Sequence, residues 1–232
     1  MGLSRRLFIG ASLSAATASV MAGANVAEAS ATKPQKWDKT VNVVIIGSGG
    51  AGLATAVSAA ENGVKDILVL EKLAFLGGNT AIATGAFNTA DPKQKEQGIE
   101  DSPELHAQQT LKGGDFRANP ELVNELSHNS YDTLTWLESK GVKFQPKILQ
   151  VYGALWPRSH ATAASKGSDY IRVLSEEAKK LGVTIQTQAK VVDIIRENQL
   201  SGRALGVEYL NKDGQHVFVR ALKAVVACPG GF

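Results

Sequence analysis

Six consecutive residues, Gly47-Ser48-Gly49-Gly50-Ala51-Gly52, follow the pattern G-x-G-x-x-G, a spacing suited to holding a pyrophosphate. The first glycine permits a tight turn after a strand. The second lets the backbone approach the phosphates, and the third lets a helix pack closely on the sheet. Free N–H groups and the dipole at the start of that helix then favour the anion. Glu71 stands 19 residues beyond Gly52, where a carboxylate can accept hydrogen bonds from a ribose hydroxyl pair. The plainer reading, a solvated acid at a strand end, leaves that spacing unexplained. An acid here disfavours a 2′-phosphate and therefore NADP. The fingerprint does not separate NAD from FAD.

Other residues offer less. Arg158 and His160 are candidates to line a substrate cleft, with a local hydrogen-bonding cluster as the alternative. His106, His128 and His216 lack partners at ligand spacing and read as structural. Cys228 is the single cysteine and lies in an apolar run, as a small core residue would. One cysteine excludes an internal disulfide, a cysteine-clustered metal site and a C-x-x-C-H haem attachment. No metal site is expected, and any haem serving this chain belongs to another one. Lys and Arg number 25 against 22 Asp and Glu, which leaves no basic stripe for nucleic acid.

The elements that must position the glycines are legible around them. Val41–Ile46 is a β-branched apolar run, as expected of a buried parallel strand. Gly50–Asn62 is Ala-rich and helical up to Gly63, and Asp66–Leu70 is a second apolar strand. Together they make a βαβ unit. Gly77–Ala90 reads as a loop with a turn of helix. Helices are expected over Pro103–Leu111, Pro120–Lys140 and Ser168–Leu181, with 145–166 irregular between the last two. Asn119 caps the second of these helices, with Pro120 at its first position and Gly141 as its stop. Its buried face is expected to carry Leu122, Leu126, Leu134 and Leu137, with Trp136. Strands follow at Val183–Gln188, Val191–Arg196, Ala204–Tyr209, His216–Arg220 and, separately, Ala221–Cys228, with a turn at Asn211–Gly214. The fold class is thus α/β and Rossmann-like.

The first residues read as an address. Arg5-Arg6 is followed by apolar Leu7-Phe8-Ile9, a weakly hydrophobic Ala/Ser/Gly run and the small-x-small site Ala27-Glu28-Ala29. This resembles a twin-arginine signal over residues 1–29, with mature Ser30 opening a polar leader over 30–40 and the domain proper spanning 41–232. The run is too broken by small and hydroxyl residues to suit a membrane span. Twin-arginine export carries folded proteins to the periplasm, so a cofactor could be inserted beforehand.

Beyond Glu71-Lys72 the chain reads Leu76-Gly77-Gly78-Asn79-Thr80 and then Ala83-Thr84-Gly85-Ala86-Phe87-Asn88. With Asp101-Ser102-Pro103-Glu104-Leu105, Asn119-Pro120-Glu121-Leu122-Val123 and the closing Ala224–Phe232 segment, this resembles the fumarate reductase/succinate dehydrogenase flavoprotein family. It is similar in particular to the soluble periplasmic flavocytochromes c, over residues 41–232. The resemblance implies a GR2-type FAD-binding domain. It would hold FAD through Gly47, Gly49, Gly50, Ala51, Gly52, Glu71, Lys72, Gly78, Asn79, Thr80, Gly85, Ala86 and Val191. Asn79 occupies the place of the histidine that attaches FAD covalently in membrane-bound relatives, which implies non-covalent FAD. The resemblance further implies hydride transfer to the C=C bond of an unsaturated acid such as fumarate, fed by a separate cytochrome c. A 3-ketosteroid-dehydrogenase-like enzyme is the alternative. In the family a capping domain with the catalytic residues follows the segment that ends here at Phe232. An incomplete domain, one part of a split enzyme, or a non-catalytic flavin-binding fragment is therefore expected. Thr162–Lys166 replaces the family's Pro/Gly-rich run, which leaves the substrate open.

Overall fold

The computed structural model describes residue 34 and residues 36–198 and 201–231. The twin-arginine segment, its cleavage site and the start of the leader lie outside the described residues.

Strand β1 (Lys39–Ile46) is the axis of the sheet. It starts two residues earlier than its apolar run, because Lys39 and Thr40 pair with Val219 and Arg220. On one side it pairs in parallel with β2 (Ile67–Leu70), and β5 (Thr184–Gln186) lies parallel beyond that. On the other side it pairs in parallel with β8 (His216–Ala227). β7 (Ser201–Leu210) and β6 (Lys190–Asn198) then follow antiparallel, giving the order β5-β2-β1-β8-β7-β6. The two apolar runs expected at 216–220 and 221–228 are therefore one strand. Residues 216–220 pair with β7 and residues 219–227 with β1, overlapping at Val219 and Arg220, with a register shift opposite Val41 and Val43. The expected break between them is absent because the strand is paired on both sides at Val219 and Arg220.

Both faces of β1 and β2 are covered, so these strands are apolar at successive rather than alternate positions. Val43, Ile45, Ile67 and Val69 pack on one face against helix α1 (Gly50–Glu61) and the later helix α5 (Ser168–Lys180). α1 contributes Leu53, Ala56 and Val57, and α5 contributes Ile171, Leu174 and Ala178. Val44, Leu68 and Leu70 pack on the other face against Val207, Tyr209, Val219 and Ala221 of the antiparallel ribbon. Burying one Leu or Ile in such a layer contributes roughly 1.5–3 kcal/mol.

Between these halves the chain forms α2 (Gly78–Ile82), β3 (Ala86–Asn88), a 3₁₀ turn (Pro92–Gln97), α3 (Pro103–Gly113), α4 (Pro120–Lys140) and β4 (Ser159–Ala161). β3 and β4 pair antiparallel, with Phe87 opposite His160, so order replaces the loop and irregular stretch expected there. α4 begins and ends as its caps dictate. Asn119 accepts from the Glu121 N–H, and Gly141 closes the helix in the left-handed region. Its buried stripe is Val123, Ser127, Ser130, Leu134 and Leu137, while Leu122 and Leu126 are exposed. The stripe runs one residue off the leucines because its first half packs small polar side chains, with the Ser130 hydroxyl donating to Thr89 Oγ1. Among the described residues, no helix is long and apolar enough to cross a membrane.

Candidate cofactor cleft

At the carboxyl ends of β1, β2 and β8 the chain turns away from the sheet and leaves a cleft of about 590 Å³, within the range of cofactor sites. The turn after β1 is pinned on both sides. Gly47 N–H donates to the Leu70 carbonyl at 2.8 Å, and Cys228 N–H donates to the Ile46 carbonyl at 2.9 Å. Gly47 has φ +98°, and a Cβ there would meet the Cys228 carbonyl oxygen at 2.4 Å. A Cβ on Gly52 would lie 2.0 Å from the Gly47 carbonyl oxygen, so α1 sits against the turn with no room for one. Gly49 provides no side-chain cap, and the first turn of α1 carries no acid. Its leading N–H groups thus face the cleft in a positive field. One of them, Gly50 N–H, donates to Thr80 Oγ1 at 3.1 Å.

Glu71 closes the second side. Its carboxylate is 6% exposed. One oxygen accepts from the Ser48 hydroxyl at 2.6 Å and the Ser48 N–H at 3.0 Å, and the other accepts from the Leu73 N–H at 2.8 Å. One oxygen thus already takes two bonds and the other takes one, which leaves a lone pair free for one further donor such as a ribose hydroxyl. The backbone of Glu71 is fixed as well, its N–H donating to Gln186 and its carbonyl accepting from Ala189.

Gly47, Gly49, Gly50, Ala51, Glu71, Lys72, Gly78, Asn79, Thr80 and Val191 all line this cleft. Gly52 lies beneath its floor as a packing residue, and Gly85 and Ala86 stand outside its lining. Ser48, Leu73, Ala189 and Lys190 also line the cleft without having been expected there, and Cys228 packs on the core as expected while reaching the cleft as well. Cys228 is partly exposed at the cleft wall beside Pro229, Gly230 and Gly231. Ser48 could have been read as a hydroxyl inside the fingerprint facing a strand-end acid. Ala189 and Lys190 carry no such signal.

Arg158 and His160 lie elsewhere, 6% and 4% exposed and outside the cleft lining. Arg158 grips Asp101 through two bonds of 2.9 and 2.7 Å. Gln94 donates to Asp101 and to the Pro157 carbonyl and accepts from the Asp91 N–H. The two nitrogens of His160 face the Arg158 carbonyl at 3.1 Å and Asp91 at 3.2 Å. This network ties the 89–101 and 157–161 segments together behind β3 and β4. His106 is buried near it, whereas His128 and His216 pair with Glu104 and Glu208 at the surface.

Burial would raise the Asp101 carboxyl, but hydrogen bonds from Arg158 and Gln94 and the guanidinium charge hold it below the ordinary carboxylate value. Burial first, and the Arg158 charge second, hold the His106 imidazole below its ordinary 6.5. Both shifts are depressions, so both contributions to stability are present above the unfolded values and are lost on acidification. The thermal midpoint is expected to fall from pH 6.5 downward, then more steeply in the carboxylate range. Denaturation scans of a His106→Gln variant should lack the first component.

The comparisons with known proteins agree with this geometry. The sequence model of the FAD binding domain family matches residues 42–232. The acrylate reductase flavoprotein subunit of Shewanella woodyi is 34% identical over 99% of this chain and 46% of its own length. The fumarate reductase (cytochrome) of Shewanella frigidimarina is 34% identical over 83% of this chain and 34% of its own. Among solved structures, the open conformation of a flavocytochrome c3 fumarate reductase superposes with a TM-score of 0.77 at 28% identity, over 84% of this chain and 34% of that one. A 3-ketosteroid-Δ4-(5α)-dehydrogenase from Rhodococcus jostii gives 0.75 at 29% identity, over 85% of this chain and 47% of that one. The chain therefore spans less than half the length of each of these relatives. With the fingerprint turn, the acid at the end of β2 and the cleft joining them in place, the chain belongs to the FAD binding domain family, with fumarate and acrylate reductase flavoproteins among its relatives.

Proposed function

We propose that this chain is the flavin-holding part of a reductase that saturates the C=C bond of a small unsaturated carboxylate, with electrons from a separate cytochrome c. The observation that carries it is the cleft at the ends of β1, β2 and β8, in a chain whose relatives bear the names fumarate and acrylate reductase. When bound and reduced, FAD supplies the hydride that joins a proton on the substrate's double bond. The chain's own residues hold and orient it. The α1 N-terminus faces the pyrophosphate, Glu71 accepts from a ribose hydroxyl, and Gly78, Asn79 and Thr80 form the wall beyond. Asn79 presents an amide rather than an imidazole, which supports non-covalent FAD. Arg158 and His160, first considered for substrate, act in this reading by fixing β3 and β4.

An absorbance spectrum before and after acid precipitation tests the cofactor claim on the full chain and on a chain starting at Ser30. Oxidised-flavin bands that move to the supernatant are expected, and bands that stay with the pellet would mean a covalent link. Reduced viologen with fumarate or acrylate then tests the reaction. The steroid-dehydrogenase likeness favours a second reading, which steroid-dependent reduction of an artificial acceptor would reveal.

We also propose periplasmic export through Arg5 and Arg6, followed by cleavage before Ser30. Replacing both arginines by lysine is expected to leave the uncleaved chain in the cytoplasm on cell fractionation. Unchanged export would reject that assignment.

A further inference from the structure

Gly78, Asn79 and Thr80 form one wall of the cleft, and the Gly77–Gly85 segment that carries them is held at several points by a helix that lines none of the cleft. Gly167, the residue before α5, donates its N–H to the Ala83 carbonyl at 2.8 Å. A Cβ on Gly167 would lie 1.9 Å from the Thr80 carbonyl oxygen, so the two backbones touch. The Tyr170 hydroxyl donates to the Gly85 carbonyl at 2.9 Å. Ile171 packs so tightly on Gly77 that a Cβ there would meet its side chain at 2.8 Å. Three successive contacts of this segment, at Gly77, Thr80–Ala83 and Gly85, therefore end on the start of α5. The wall passes the constraint on, since Thr80 Oγ1 receives the Gly50 N–H at the phosphate end of α1.

Tyr170 is itself well fixed. It is buried and lies against the Phe144 ring at 6.1 Å between centroids. Burial, then the Asp169 charge, push its phenol far above the ordinary value, so it remains a donor at any physiological pH.

We propose that Gly167, Tyr170 and Ile171 form a positioning clamp that sets FAD affinity by fixing the Gly77–Gly85 segment, and with it the Gly78–Thr80 wall, against the glycine turn after β1. This rests on FAD as the cleft's occupant. α5 has ample support of its own through Val173, Leu174 and Ala178, so the helix should survive loss of its contacts to the wall.

The test is titration of the full chain with FAD, followed by flavin fluorescence quenching and by visible circular dichroism of the bound flavin. The variants are Gly167→Ala, Tyr170→Phe and, as a control on the outer face of α5, Glu176→Gln. Gly167→Ala is expected to weaken FAD binding about tenfold or more. Tyr170→Phe is expected to weaken it severalfold and to alter the visible dichroism, with the thermal midpoint of the FAD-free chain nearly unchanged. The control should match the wild type. A purely structural role for Tyr170 would lower the midpoint and leave the dichroism of bound flavin as it was, which would overturn the clamp. Wild-type affinity in both clamp variants would do the same. Should Gly167→Ala not fold, Tyr170→Phe decides alone. A wild-type chain that neither quenches FAD nor carries it would instead sink the FAD reading itself, before any variant is compared.

Discussion

A Gly52→Ala chain is expected to lose FAD binding by about a hundredfold, while keeping its secondary structure. The added methyl would sit 2.0 Å from the Gly47 carbonyl oxygen, and that atom belongs to a turn held by the ends of β2 and β8. Neither side can give way locally, so α1 must shift along or away from the sheet. Overpacking of this kind costs about 1–3 kcal/mol, and the upper end corresponds to about a hundredfold in affinity if it falls on the bound state. The displaced helix carries away its leading N–H groups, assigned above to the pyrophosphate, and breaks the Gly50 N–H bond to Thr80 Oγ1. Isothermal titration with FAD, alongside far-ultraviolet circular dichroism, measures both halves of the claim. Native affinity would show that α1 tolerates a wider separation from the turn than its packing suggests.

Arg158→Leu is expected to be the most destabilising single change away from the cleft. The guanidinium is 7% exposed, its partner carboxylate at Asp101 is fully enclosed, and they share two bonds. Removing one partner of such a pair typically costs about 3–5 kcal/mol, since the other charge is left buried and unpaired. For a domain of this size that lowers the thermal midpoint by roughly 10 °C or more. Asp101→Asn in the same chain should recover much of the loss, as the orphaned charge disappears. The measurement also separates two roles. A network residue lowers stability wherever the substrate binds, whereas a substrate ligand would raise KM with little change in the midpoint.

Legibility followed the kind of force at work. The βαβ unit was readable because it is built from local apolar runs and three glycines whose spacing is dictated by backbone contact. The ends of α4 were readable because Asn119, Pro120 and Gly141 act on their own neighbours. The β3–β4 pair was not, since it consists of three-residue strands joining Ala86–Asn88 to Ser159–Ala161 across a long separation. The network of Asp91, Gln94, Asp101, Arg158 and His160 was equally hidden. Polar residues that satisfy one another inside a protein look in sequence like polar residues on its surface. Leu122 and Leu126 misled in the opposite sense, being apolar and exposed. At the cleft, the residues named by the fingerprint lie where expected. Ala189 and Lys190 reach it only through the pairing of β5 beside β2, which no local pattern announces.

The place of β8 in the sheet has a consequence for the order of events during folding. Without residues 216–227 the sheet would consist of two separate ribbons, β5-β2-β1 and β7-β6, with a gap where β8 lies. Until β8 docks, one edge of β1 has no partner strand, and the Ile46 carbonyl lacks the Cys228 N–H. Such non-local closure is slow compared with forming the flanking helices. The phosphate turn consequently takes its final shape only when this late strand docks. Closure of the sheet and completion of the cleft are thus one event, since the strand that joins the two ribbons also brings Cys228, Pro229, Gly230 and Gly231 to the cleft wall.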